Sequence, residues 1–149
     1  MAVKDLYDKA CEAANKGNYD YAIELYREVL RLEPQYPGAL VLLRGTERRR
    51  LREIASAASS LTHRLAGVWH FLKAQAQFAN PRKQLESWED FLEHNPNSSL
   101  GLLMAARTAS KAGYADTSAT ILKDLLTLRP DNKTALRALG DTLEQAGQI

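Results

Sequence analysis

A proline recurs behind the apolar end of a helix-like segment, and that recurrence limits what this chain can fold into. Leu30-Arg31-Leu32-Glu33-Pro34, Leu92-Glu93-His94-Asn95-Pro96 and Leu126-Thr127-Leu128-Arg129-Pro130 align without gaps. Eight positions before each proline stands a large apolar or aromatic residue: Tyr26, Trp88 and Leu122. Pro96 and Pro130 lie 34 residues apart (130 − 96). A period of this size marks stacked helix pairs, each too small to bury its own apolar faces and therefore covering its neighbours. Proline suits the boundary, because it disfavours helical backbone at the residue before it.

Apolar periodicity between the glycines and prolines predicts helices over residues 3–16, 20–32, 66–78, 82–93, 99–111, 116–128 and 133–145. At least one more is needed between Leu40 and Leu65, which brings the total to about eight. Leu6, Ala10 and Ala13 share one stripe of the first helix. Ala22, Leu25, Tyr26, Val29 and Leu30 share one stripe of the second. Gly17-Asn18-Tyr19 reads as the intervening turn, with Asn18 as helix cap, and Gly113-Tyr114-Ala115 takes the same place later. Asn80-Pro81 offers a cap followed by proline in the first turn, where its missing N–H costs nothing.

Composition narrows the function. The 149 residues are 45% hydrophobic, enough for a continuous core, and the formal net charge is only +2. Near balance argues against wholesale nucleic-acid or membrane binding and leaves local patches open. Cys11 is the only cysteine, so the chain has neither an internal disulfide nor a cysteine-based zinc site. The charged start Met1-Ala2-Val3-Lys4-Asp5 lacks a signal-peptide run, and no stretch reaches the roughly 20 apolar residues of a membrane span. A reducing, cytoplasmic setting is the expectation.

The repeat resembles the tetratricopeptide repeat (TPR) family. Ala22, Tyr26 and Pro34 match its second-helix pattern of alanine, aromatic and closing proline. Leu136, Leu139, Gly140 and Leu143 match its first-helix pattern, and Ala10 and Ala106 fill the small-residue position in two other units. Gln84 and Ser118 stand where alanine is usual, and Leu72 where a small residue is usual, so looser or altered packing is expected there. The resemblance implies an all-α, right-handed α-solenoid of antiparallel helix pairs in one domain over 1–149. Its units would run over about 3–36, 37–64 (irregular), 65–98, 99–132 and 133–149 (incomplete), as in a piece of a longer array. Pro34 to Pro96 spans 62 residues (96 − 34), six short of two repeats. The irregular unit is therefore read as a prolonged helix, or a helix with a degenerate partner near Ile54–Leu65. Ser56 to Ser60 is its weakest stretch.

The resemblance further implies a concave groove lined by first helices. Its inward positions map to Tyr7, Cys11 and Asn15; to Trp69, Lys73 and Gln77; to Leu103, Arg107 and Lys111; and to Arg137, Asp141 and Glu144. This mixture of aromatic, apolar and cationic groups suits an extended or helical peptide with some acidic character. TPR domains that hold a chaperone's carboxyl-terminal tail use a lysine-and-asparagine clamp where Tyr7 and Cys11 stand, which argues against that partner. The expected role is a non-catalytic scaffold for a protein or peptide partner. For any single groove residue the competing reading is plain surface.

Two other roles stay open. Arg44, Arg48 and Arg52 would share one helical face, with Arg49 and Arg50 beside them, and such a patch could grip a nucleic acid or another anionic partner. The bland reading is a solvated face laced by Glu47 and Glu53, and no aromatic residue is interleaved for base stacking. The second role is self-assembly into a homo-oligomer through an open carboxyl-terminal end beside Leu136 and Leu143. His63 and His70 lie two turns apart, but with only distant His94 left they read as ordinary helix histidines and not a metal site. Trp88 reads as core. No phosphate loop, nucleophile motif or carboxylate pair points to catalysis, and no cofactor is expected.

Overall fold

A computed structural model describes residues 2–56 and 60–147, with side chains described outside 56–66. Eight helices and no strand are present among the described residues. They are α1 (Val3–Asn15), α2 (Tyr19–Leu32), α3 (Ala39–Ser56), α4 (Ser60–Ala76), α5 (Pro81–His94), α6 (Ser99–Lys111), α7 (Ala115–Leu128) and α8 (Lys133–Gln145). The stretch after Leu40, expected as a prolonged helix or a helix with a degenerate partner, holds α3, of 18 residues. α4 starts at Ser60, six residues ahead of the expected 66. The centre of the stretch from Ser56 to Ser60, at 57–59, lies outside the described residues.

The chain divides into two compact units, Met1–Ser60 and Leu61–Ile149. In the first, α1 pairs with α2, and α3 also packs on α2. Small residues set the approach: Ala10, Ala13 and Ala14 from α1 meet Ala22, Ile23, Tyr26 and Val29 from α2, all buried. Gly17 ends α1 with φ of 79°, a left-handed conformation that costs glycine little. The Asn18 amide then donates to the Ala13 carbonyl at 3.0 Å. Asn18 does occupy the cap of α2, but its side chain makes no capping hydrogen bond. Its backbone carbonyl alone accepts from the Ala22 amide at 3.0 Å.

The second unit repeats the plan over α4 to α8, each helix packed on the next. Side-chain caps recur here: Asn80 accepts from the Lys83 amide, Ser98 from Gly101 and Asn132 from Ala135. Each satisfies an amide that the first helical turn would leave unpaired. Trp88 is fully buried, edge-on to Phe71 at 5.5 Å and to Phe91 at 5.9 Å between ring centroids. Such pairs contribute about 0.5–1.5 kcal/mol each beyond their burial. The two polar substitutes for alanine are buried with partners. Gln84 donates to the Ala74 carbonyl at 3.3 Å, and the Ser118 and Thr142 hydroxyls lie 3.5 Å apart.

Gly101 marks a close approach of α6 to α5. A Cβ there would sit 2.5 and 2.8 Å from two Phe91 ring carbons. Gly101→Ala is therefore expected to destabilise the chain by about 1–3 kcal/mol despite the better helix propensity of alanine, because a rigid ring must move. Urea unfolding followed by circular dichroism checks the sign.

Candidate functional site

The inward positions of α6 and α8 lie on neighbouring helices of the second unit. Gly101, Leu102, Ala105, Ala106, Thr108 and Ala109 turn into the core, which leaves Arg107 and Lys111 exposed and Leu103 half-buried. On α8, Arg137, Asp141 and Glu144 are exposed. The Ser110 hydroxyl donates to Gln145 Oε1 at 3.1 Å and ties the two helices side by side. The result is a surface with an apolar element, three cationic side chains and two carboxylates.

The α4 positions divide differently. Trp69 is 67% exposed. Lys73 leans toward α5, its Nζ 3.9 Å from Asp90 Oδ2. Gln77 turns into the α4–α5 contact, where its Oε1 accepts from the Ser87 hydroxyl at 3.0 Å. In the first unit Asn15 is exposed, whereas Tyr7 and Cys11 join an internal cluster. The Tyr7 ring lies 5.0 Å from Tyr36 and 6.1 Å from Tyr26, and the Tyr26 hydroxyl donates to Cys11 Sγ at 3.3 Å. Burial raises the Tyr7 and Tyr26 phenols above their ordinary value, with Cys11 adding to the effect, so both stay un-ionised. Tyr36 carries no periodic signal because it belongs to the turn that leads to Gly38, where φ is 77°.

The arginine-rich segment departs most from expectation. Arg44 is only 2% exposed and Glu47 1%, and Arg44 Nη1 meets Glu47 Oε2 at 2.8 Å. Arg44 is thus withdrawn from the basic face expected of Arg44, Arg48 and Arg52, and Glu47 does not lace a solvated surface. Arg50 reaches Asp20 at the start of α2, 2.9 Å away. Exposed Arg49 and Arg52 and half-buried Arg48 remain. Charge spacing within one helix cannot reveal which turn another element will cover.

The side chain of His63 lies outside the described residues. His70 stacks instead on His94, 24 positions further on (94 − 70), with ring centroids 5.2 Å apart and planes 20° from parallel. His94 Nδ1 lies 3.1 Å from the Asp90 carbonyl oxygen. Burial lowers the His70 pKa, and His94 and Lys73 lower it further against the opposing pull of Asp90 and Glu93. Among the described residues no group of three or more His, Cys, Asp or Glu is placed to hold a metal ion. No described helix is long and apolar enough to cross a membrane.

No family model and no curated protein matches the chain. Among solved structures, a crystal structure of MamA protein aligns with a TM-score of 0.52 at 16% identity, covering 97% of this chain and 82% of that one. A second crystal structure of MamA gives 0.52 at 15% identity over 93% and 84%. The first TPR of Spaghetti (RPAP3), solved bound to the HSP90 peptide SRMEEVD, gives 0.44 at 14% identity over 97% and 93%. The fold is an all-α helical repeat of TPR-like type.

Two outcomes follow from the buried charges and rings. Glu47→Ala removes the carboxylate that meets the buried Arg44 guanidinium and should cost about 3–5 kcal/mol, while Arg44→Met with Glu47→Leu should restore stability to the wild-type level or above. Urea midpoints decide between them. For His70, the unfolded chain with its ordinary value of 6.5 takes up a proton before the folded one does. Stability is then lost as pH falls below that value, and His70→Gln should flatten the melting-temperature profile between about pH 7 and 5.

Proposed function

We propose that this chain is a non-catalytic protein-interaction scaffold that holds a peptide or protein segment against the inward positions of its first helices. One observation carries the reading: Leu103, Arg107 and Lys111 of α6 and Arg137 of α8 stand on helices tied at Ser110 and Gln145, with their charges toward solvent. An apolar contact beside a cationic row suits a segment that alternates apolar and acidic side chains. Of these cationic side chains Arg107 and Lys111 are expected to set charge preference more than raw affinity, since exposed charges act through water. Tyr7 and Cys11 serve the scaffold, because their contacts fix α1 on α2.

The test uses the full chain and a panel of fluorescein-labelled peptides with matched apolar residues and either glutamate or lysine between them. Glutamate peptides should bind more tightly, with affinity that weakens as salt is raised. Arg107→Glu with Lys111→Glu should cut that binding by about tenfold or more, which corresponds to about 1.4 kcal/mol, with helicity unchanged. Equal binding of the acidic and basic peptides would remove the cationic row from the reading.

A further inference from the structure

α8 carries an apolar strip that α7 does not cover. Ala135 and Thr142 are buried, and the Thr142 hydroxyl lies 3.5 Å from that of Ser118 on α7. At about 100° per residue, Leu136, Gly140 and Leu143 fall within about 60° of one another and about a third of a turn from that side. Leu136 is 50% exposed, and Gly140 and Leu143 are half-buried. The 34-residue period carries these three positions back onto Leu102, Ala106 and Ala109 of α6, which are at most 1% exposed. α6 packs on both α5 and α7, whereas among the described residues α8 has α7 and only the edge of α6. Gly140 has no packing reason inside its own chain. A Cβ there would meet nothing within 4 Å beyond its own helix backbone, unlike one at Gly101, which lies against the Phe91 ring. Glycine in mid-helix is less favourable than alanine, and it suits a point where another backbone comes close.

The charges beside this strip run against the helix that bears them. Lys133 and Arg137 stand in the first half of α8, Asp141 and Glu144 in the second, and all four are exposed. A helix favours the opposite order, with carboxylates near its amino end and cations near its carboxyl end. Like charges are also close neighbours here, since Lys133 and Arg137 are four apart and Asp141 and Glu144 three apart. Among the described residues none of the four forms an ion pair. All four lie on the flank away from Thr142, within about 80° of one another. A charge order that the isolated helix disfavours is stabilised by a neighbour of reversed polarity, and a second α8 laid antiparallel is one.

We propose that this strip is a self-docking surface, on which α8 of a second copy of this chain lies antiparallel about a twofold axis. With the axis midway between Leu136 and Leu143, each Leu136 lies level with the other copy's Leu143, and the two Gly140 backbones cross near the axis. A rise of about 1.5 Å per residue then puts Arg137 within about 3 Å, along the helix axes, of the levels of Asp141 and Glu144 across the contact, and Lys133 within about 3 Å of Glu144. The same axis keeps both charged flanks on one side of the pair, so cations face carboxylates. A parallel pair would turn the two flanks to opposite sides and leave their charges unmatched. Area sets the strength. The 13 residues of α8 make a strip about 20 Å long and 10 Å across, on the order of 200 Å², against about 800 Å² per partner in a stable complex. The pair is therefore weak and depends on concentration. It does not rest on the groove reading, although Arg137 borders both surfaces.

The full chain is followed by sedimentation equilibrium from about 10 μM to about 1 mM, at low and at high salt. The expected result is a monomer at the low end, a dimer population that grows toward the high end, and weaker association as salt is raised. Two charge variants supply the decisive comparison. Lys133→Glu with Arg137→Glu makes the flank wholly acidic, and Asp141→Lys with Glu144→Lys makes it wholly basic. Each should stay monomeric alone, and an equimolar mixture of the two should dimerise at least as tightly as the unmutated chain. Gly140→Gln should keep helicity and melting temperature at or above the unmutated values while association falls at least about tenfold. Arg107→Glu with Lys111→Glu should leave association intact, which separates this surface from the groove. In the unmutated chain, amide shifts that move with concentration should centre on residues 136–144, even if a variant unfolds. A strict monomer at about 1 mM overturns the proposal. So do folded charge variants that fail to pair when mixed, masses that rise past the dimer, or shifts centred elsewhere.

Discussion

Coverage of each inner helix by more than one neighbour is the constraint from which the rest of the structure follows. An isolated pair such as α1 and α2 can cover only one side of each helix, so α2 needs α3 and α6 needs both α5 and α7. The energy of this arrangement comes from side chains removed from water: burying one Val, Leu, Ile or Phe contributes about 1.5–3 kcal/mol. Small residues at the crossings make that burial possible. Ala10, Ala22, Ala105 and Ala106 are each at most 1% exposed, and Gly101 lets the Phe91 ring lie directly against the α6 backbone. The prolines and the positive-φ glycines stop each helix so that the next can return.

Surface chemistry is a by-product of that burial rule. Once Gly101, Leu102, Ala105, Ala106, Thr108 and Ala109 are committed to the core, the positions left on α6 are those that carry Arg107 and Lys111. α4 obeys the rule on the side that meets α5, and its far side stays exposed at Val68, Trp69 and Leu72. Three polar residues that enter the core have partners at hand. Gln84, Ser118 and Arg44 are buried against Ala74, Thr142 and Glu47. Leaving such a group unpaired would cost more than the hydrogen bond contributes.

Helix positions were legible because they depend on local rules. Pro81 in a first turn, Asn80 as its cap, and Gly17 and Gly113 in the turns act over three or four residues. The start of α4 was misjudged by six residues, since residues 60–65 lack a start signal strong enough to compete with the repeat register. Arg44 and Glu47 were misread because a charged run ordinarily faces water, and only a covering element overrides that preference. The same limit applied to the Cys11, Tyr7 and Tyr26 cluster, where the thiol accepts from a hydroxyl 15 residues away.

The sequence by itself determined that the chain is an all-α helical repeat, where most of its helices begin and end, and that Trp88 and Tyr26 belong to the core. These are consequences of a 34-residue period and a 3.6-residue one, and both are written along the chain. Tertiary structure alone decided that Arg44 is buried, that His70 stacks on His94, and that Gln77 is spent on Ser87. Each of those outcomes depends on which face of one helix meets another. Helix α4, with apolar side chains on two sides, could have turned either of them toward α5.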